Sequence, residues 1–285
     1  MKIGVVGLGA MGSGIAQLAV EAGFETIGRE IELARAEAAR DRIAHFLTRK
    51  VEKGTLEADA RDAAVARDAA VARLALTDDL ADLGACDVVI EAAFEDLAVK
   101  HELFRALEAV VRADAILATN TSALSVTEIA SVLERPERVV GMHFFNPAPL
   151  MPLVEIVRAE RTAEAVWDAA FELGAKLGKT PIRCSDTPGF VVNRVLIPLL
   201  NDCVRVLDEA GVTPEALDDG MTKGAGWPMG PCTLLDLVGA DVHVHASEAL
   251  YEKLREPRMA PPPRLVRMLQ AGKLGRKTGE GFYTY

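Results

Sequence analysis

Three constellations in this 285-residue chain carry side chains able to do chemistry. The first is His143, within Gly141-Met142-His143-Phe144-Phe145-Asn146-Pro147, together with the acid Glu155. Residues 139–145 and 153–157 read as two strands joined by a loop containing Pro147, Pro149 and Pro152. In a hairpin centred on Pro149, positions 143 and 155 fall directly opposite each other, with Cβ atoms about 5 Å apart on one face. A carboxylate placed there orients one imidazole tautomer and stabilises the imidazolium once the ring takes a proton, as a general base requires. A histidine alone among phenylalanines would read as core. The partner acid and the loop position turn the reading toward catalysis.

The second constellation is Gly7-Leu8-Gly9-Ala10-Met11-Gly12, which follows the strand-like run KIGVV and opens a helix, with Glu30 18 residues past its last glycine. Glycines permit a tight turn and close backbone approach to a pyrophosphate, and the helix N-terminus supplies N–H groups and positive dipole. Glu30, at the end of a second strand, would hydrogen-bond the adenine-ribose hydroxyls and repel a 2′-phosphate, which favours NAD over NADP. Arg29 beside it works in the opposite sense, since an arginine there can receive a 2′-phosphate. The third constellation is Asn120-Thr121-Ser122, at the carboxyl end of a predicted strand, where open α/β sheets bind ligands. Alone, these residues would cap a helix. Asn193, one turn into a mostly apolar helix, reads equally as a buried amide or a ligand-binding one.

The elements that must position these groups follow from the apolar pattern. Short β-branched runs at residues 2–7, 24–28, 87–91, 115–119 and 138–144 alternate with stretches of helical spacing, the βα rhythm of a doubly wound sheet. Residues 32–76 break that rhythm with a charged, alanine-rich segment, read as a helical hairpin turning at Gly54. It contains a tandem RDAAVA hexapeptide at residues 61–72, read as a short duplication that lengthens an exposed hairpin. Past Cys184 the strands stop: Thr187-Pro188 and Thr213-Pro214 read as helix starts, and Val192, Val195, Leu196, Leu199 and Cys203 form a helical stripe that Pro198 should bend. The expectation is an α/β domain over residues 1–185, carrying the helical hairpin insertion, followed by an all-helical domain over residues 186–285.

Composition sets the outer limits. The chain is 50% hydrophobic and 26% charged, ordinary for a globular protein of about two domains. A formal charge of −10 argues against nucleic acid or an anionic membrane as partner. Residues 3–20 are uncharged but hold five glycines, and residues 139–154 hold three prolines, so neither reads as a membrane span. The four cysteines (Cys86, Cys184, Cys203, Cys232) lie far apart with no CxxC spacing, which suits the reducing cytoplasm and no zinc ribbon. His243-Val244-His245 lacks the acid or cysteine cluster a metal would need, so no metal is expected.

Taken together, GLGAMGSGIA, VIEAAFEDLAVK, NTSALS, GMHFFNPAPLMPLVEI, DTPGFVVNR, GAGWPMGP and GRKTGEGFYTY occur in this order along essentially the whole chain. The sequence closely resembles the L-3-hydroxyacyl-CoA dehydrogenase family, particularly its single-function bacterial members, the 3-hydroxybutyryl-CoA dehydrogenases. The resemblance implies a Rossmann-type first domain, NAD as cofactor, and reversible oxidation of an (S)-3-hydroxyacyl-CoA to the 3-ketoacyl-CoA. It also implies a homodimer formed through the helical domain. His143 matches the family's general base, Glu155 its carboxylate partner, and Ser122 and Asn193 the residues at the substrate's reacting region. Glu91 and Lys100 match positions near the cofactor, joining Gly7, Gly9, Met11, Gly12, Glu30 and Asn120. By position on the hairpin, Arg49, Lys50 and Lys53 are candidates for the acyl-CoA substrate's phosphates. Three features depart from the family: Glu30 stands where Asp is usual, with Gly28-Arg29 before it where larger apolar residues are common; the hexapeptide duplication lengthens the CoA-side hairpin; and His243-Val244-His245 replaces a more apolar stretch. Dehydrogenases of free hydroxy acids or sugar acids share the glycine motif but use a lysine on the helix that opens the second domain, where this chain has Asn193-Arg194.

Overall fold

In a computed structural model, residues 1–52 and 68–285 are described, and they divide into two compact units, Met1–Thr187 and Pro188–Tyr285. The first unit is built on one sheet of β1 (Lys2–Val6), β2 (Glu25–Arg29), β3 (Leu74–Thr77), β4 (Val88–Glu91), β5 (Ile116–Thr119), β6 (Val139–Phe144), β7 (Leu153–Arg158) and β8 (Thr180–Ser185). Its spatial order is β3-β2-β1-β4-β5-β6-β7-β8. From β3 through β6 every pairing is parallel; β7 runs antiparallel to β6, and β8 parallel to β7. Helices α1 (Ala10–Glu21), α2 (Leu33–Glu52), α3 (Leu97–Val110), α4 (Val126–Ala130) and α5 (Glu164–Lys176) connect these strands. The central strands are mostly apolar because helices leave them little solvent; in β4 and β6 every residue is buried, Glu91 and His143 included.

Two consequences of this order bear on function. The chain leaves β1 toward β2 and β3, then returns to place β4 on the other side of β1, so a crevice opens beyond the carboxyl ends of β1 and β4. Among the described strands of this sheet, the one antiparallel pairing, β6 with β7, is the hairpin holding residues 143 and 155. Behind it, Trp167 of α5 donates its indole N–H to the Ile156 carbonyl at 3.0 Å. The guanidinium groups of Arg158 and Arg183 lie 5.2 and 4.8 Å from the Trp167 ring centre.

The second unit is helical: α6 (Val192–Glu209), α7 (Pro214–Asp219), α8 (Pro231–Val238), α9 (Ala240–Leu254) and α10 (Pro263–Gln270). Leu200, Val204, Leu235, Val244 and Leu265 form a core cluster, with Trp227 packed against it. The core also holds polar groups. His243 is 4% exposed and its Nε2 meets Asn201 Oδ1 at 2.9 Å, while the Asn201 amide donates to the carbonyls of Arg258 and Met259 at 3.2 Å each. Burial pushes the His243 pKa down to about 4. Asp218 accepts from the backbone N–H groups of Cys232 and Thr233, closing the start of α8.

Several local expectations need correction. The charged segment read as helical through residue 76 ends in β3, a four-residue strand too short for its pattern to stand out beside α2. Strand β8 was not foreseen either, because Pro181 interrupts it at the sheet edge. Thr187-Pro188 does not start a helix. A turn intervenes, with Gly189 and Phe190 at φ of +79° and +47°, and α6 begins at Val192. The buried face of α6 is Ile197, Pro198, Leu200, Asn201, Cys203, Val204 and Leu207; of the expected stripe only Cys203 is buried, and Val195 is 62% exposed. Two apolar phases coexist on this helix, and periodicity alone does not say which one packs inward. The Gly54 turn, Lys53 and the first hexapeptide copy lie outside the described residues; residues 68–72 of the second copy are helical.

Candidate active site

The glycine turn sits in the crevice beyond β1. Gly7 takes φ +86°, and a Cβ there would lie 2.8 Å from the Ala92 carbonyl oxygen; one on Gly12 would fall 1.8 Å from the Gly7 carbonyl oxygen. Only glycines let α1 start this close to β1 and β4. Gly9 differs: it is exposed, has nothing within 4 Å of a would-be Cβ, and N-caps α1 with no side-chain cap and no acid in the first turn. That combination of open space and an uncapped helix N-terminus fits a pyrophosphate. Met11 is half-buried and packs into the core of the first unit. Glu30 accepts from the N–H of Leu8 at 3.0 Å and of Ile31 at 3.0 Å, which fixes its carboxylate beside the turn. Gly28, puzzling in sequence, leaves the volume that Leu8 occupies, since a Cβ at 28 would lie 2.8 Å from Leu8 Cδ1.

At the hairpin, His143 and Glu155 are register partners in the β6–β7 ladder, as the spacing predicts. His143 Nδ1 lies 2.6 Å from Glu155 Oε2, and Ser122 Oγ lies 3.0 Å from His143 Nε2. Glu155 is fully buried and His143 is 3% exposed, whereas Ser122 faces solvent. An ionised carboxylate only accepts, so Nδ1 carries the ring proton and the Nε2 lone pair points toward Ser122. The result is a proton acceptor aimed at an accessible hydroxyl and backed by a buried charge.

A residue missed in the sequence holds Ser122 in place. Glu95 accepts from Thr121 Oγ1 at 2.5 Å and from the N–H groups of Ser122 and Ala123 at 2.8 and 3.0 Å. Burial acts to raise the Glu95 pKa, but the Lys100 ammonium, the Thr121 hydroxyl and the two backbone N–H groups outweigh it and hold the carboxyl below its ordinary range. Its position four residues after Glu91 in VIEAAFEDLAVK was the available signal. Phe94 next to it is 78% exposed.

The remaining candidates divide. Glu91 and Lys100 are both fully buried, paired at 2.7 and 2.8 Å, and Thr119 Oγ1 donates to Glu91 at 2.7 Å. Together they brace the carboxyl end of β4, next to the crevice where the dinucleotide is expected. Asn120 accepts from the Phe144 N–H at 2.9 Å, tying β5 to β6 beside His143. Lys50 pairs with Glu21 of α1 at 2.8 Å, while Arg49 is exposed. Asn193 lies in the first turn of α6, half-buried. His243 and His245 lie on opposite sides of α9, one buried and one exposed, and no described residues group into a metal site.

Comparison with known proteins agrees with this geometry. Residues 2–187 match the 3-hydroxyacyl-CoA dehydrogenase NAD-binding domain, and residues 189–285 match the 3-hydroxyacyl-CoA dehydrogenase C-terminal domain. The chain is 44% identical to a 3-hydroxybutyryl-CoA dehydrogenase of Mycobacterium tuberculosis, over 100% of this chain and 98% of that protein. It is 41% identical to a probable 3-hydroxybutyryl-CoA dehydrogenase of Deinococcus radiodurans, over 100% of both. Among solved structures, the (S)-3-hydroxybutyryl-CoA dehydrogenase PaaH1 of Ralstonia eutropha superposes with a TM-score of 0.94 at 38% identity, covering 100% of this chain and 98% of that one. With an NAD-binding first unit and a helical second unit, the chain belongs to the 3-hydroxyacyl-CoA dehydrogenase family of oxidoreductases.

Proposed function

We propose that this protein interconverts short-chain (S)-3-hydroxyacyl-CoA and 3-ketoacyl-CoA, with 3-hydroxybutyryl-CoA as the working substrate. The observation that carries the reading is the Ser122–His143–Glu155 chain of contacts, 3.0 and 2.6 Å long. NAD, when bound at the glycine turn, supplies the hydride acceptor. His143 Nε2 removes the proton of the C3 hydroxyl as the C–H bond breaks, and in reduction the imidazolium returns that proton to the forming alkoxide. Glu155 balances the ring's charge in a site where water cannot. Ser122 positions the substrate oxygen, with its own backbone held by Glu95. Asn193 is assigned to substrate on its match to the DTPGFVVNR motif, and Arg49 to the phosphates of CoA on its exposed place on α2.

The test is the fall in absorbance at 340 nm when the protein meets acetoacetyl-CoA with NADH, beside a parallel cuvette with NADPH. Rapid oxidation of NADH and slower oxidation of NADPH are expected. Oxidation of neither would remove the acyl-CoA assignment, and free hydroxy acids would be assayed next. The same reading places the enzyme in the reducing cytoplasm, on the strength of its four free cysteines, and makes it a homodimer. Exposed Val206, Leu237, Val238 and Val242 of the second unit support the dimer, which light scattering would measure.

A further inference from the structure

The glycine turn is held at one residue, Leu8, from three directions. Its N–H donates to Glu30 at 3.0 Å, its side chain fills the volume over Gly28, and its carbonyl accepts from Nη2 of Arg42 on α2 at 3.0 Å. Arg29, the cation adjacent to Glu30 in sequence, is directed elsewhere, with Nε on the Asp78 carbonyl at 3.3 Å. Arg42 is therefore the guanidinium that meets the turn.

The geometry has a specific consequence. In a peptide unit the C=O and the following N–H point in opposite directions, so the direction of the Leu8 carbonyl sets that of the Gly9 N–H. Gly9, having no Cβ, can adopt the backbone angles that a flipped plane requires, which a residue with a side chain would resist. Glu30 fixes the plane before Leu8, Arg42 fixes the plane after it, and the seated Leu8 side chain stops the Cα from turning between them. We propose that Arg42 is a positioning residue for the dinucleotide, holding the Leu8–Gly9 peptide so that the Gly9 N–H is presented to the pyrophosphate before it binds. This rests on the glycine turn being the NAD site. Without Arg42 the free protein samples flipped peptides, and binding must first select the competent one.

The experiment titrates NADH by fluorescence into wild type, Arg42→Met, Arg42→Gln and Arg42→Lys, and measures steady-state kinetics of each with acetoacetyl-CoA. Loss of one charge-assisted hydrogen bond at a permissive glycine should raise the NADH Kd and KM of Arg42→Met about five- to tenfold. The acetoacetyl-CoA KM should hold, and kcat at saturating NADH should fall no more than twofold. Arg42→Lys should recover part of the affinity. Arg42→Gln, too short to reach Leu8, carries the same expectation as Met, so the proposal stays exposed if the Met variant does not fold. An NADH Kd within twofold of wild type in both variants overturns the role of Arg42. So does a loss in kcat and in both KM values alike, the mark of general damage. Failure of wild type itself to bind NADH would instead remove the dinucleotide reading on which the role depends.

Discussion

Two histidines in this molecule are almost equally buried, and their partners make them different groups. His143, in the first unit, has a carboxylate on Nδ1 and a solvent-facing serine on Nε2. His243, in the second, has an amide oxygen on Nε2, and burial with no charged partner pushes its pKa down to about 4. An imidazole desolvated beside a carboxylate can accept a proton, because the pair then carries no net charge. Beside an amide, protonation would leave an uncompensated charge in the core. Burial alone therefore says little about a histidine's function; the formal charge of its nearest neighbour says a good deal.

The comparison predicts opposite phenotypes. His143→Gln should lower turnover by about 10³-fold while the unfolding temperature changes little, as read by acetoacetyl-CoA reduction and calorimetry. A tenfold or smaller loss would take His143 out of the role of base. Glu155→Gln should cost about 10²-fold, because an amide can donate to Nδ1 and trap the tautomer whose Nε2 carries the proton. Retained activity in that variant would mean that the buried charge is dispensable.

His243→Leu should leave activity per folded molecule intact and destabilise the protein by about 1–3 kcal/mol, since the Asn201 carbonyl loses its short contact. Reversing the order, with turnover lost and stability kept, would erase the distinction between the two residues. Acid sensitivity gives a finer test. A histidine at 6.5 when unfolded and about 4 when folded contributes stability that is complete above pH 6.5 and lost as pH falls from 6.5 toward 4. That slope should flatten in His243→Leu. Asn201→Asp, which gives His243 the kind of partner His143 has, should raise the imidazole titration followed by carbon NMR. No shift would show that the partner does not set the difference.

How much of this was legible in sequence depended on how far each signal reached. The His143–Glu155 pair followed from the period of a hairpin, a local rule acting over 12 residues. The glycine turn with Glu30 followed from a strand–turn–helix spacing of similar reach. Glu95 was overlooked because it acts on residues 121–123, at the end of a neighbouring strand, and no periodicity links the two. Glu91 and Lys100 were picked out by their match to the family motif, but nothing in the sequence shows that they pair with each other and with Thr119, since that pairing joins β4, α3 and β5. Gly28 stood out as an oddity, and its reason, the bulk of Leu8, lies 20 residues earlier on the adjoining strand's turn. The face of α6, right only at Cys203, has a different origin: apolar residues occur on both sides of the helix, and only packing chooses between them.

The chain's two tryptophans are divided between the units, Trp167 in the first and Trp227 in the second. Trp167 hydrogen-bonds the residue after Glu155 and is stacked by two guanidinium groups, so its emission should follow the electrostatic state of the strand that carries the buried acid. Replacing either indole with phenylalanine would leave a single fluorophore in a known unit. The enzyme thus contains its own pair of optical reporters, one behind the β6–β7 hairpin and one against the helical core, with which melting and ligand responses of the two halves can be recorded separately.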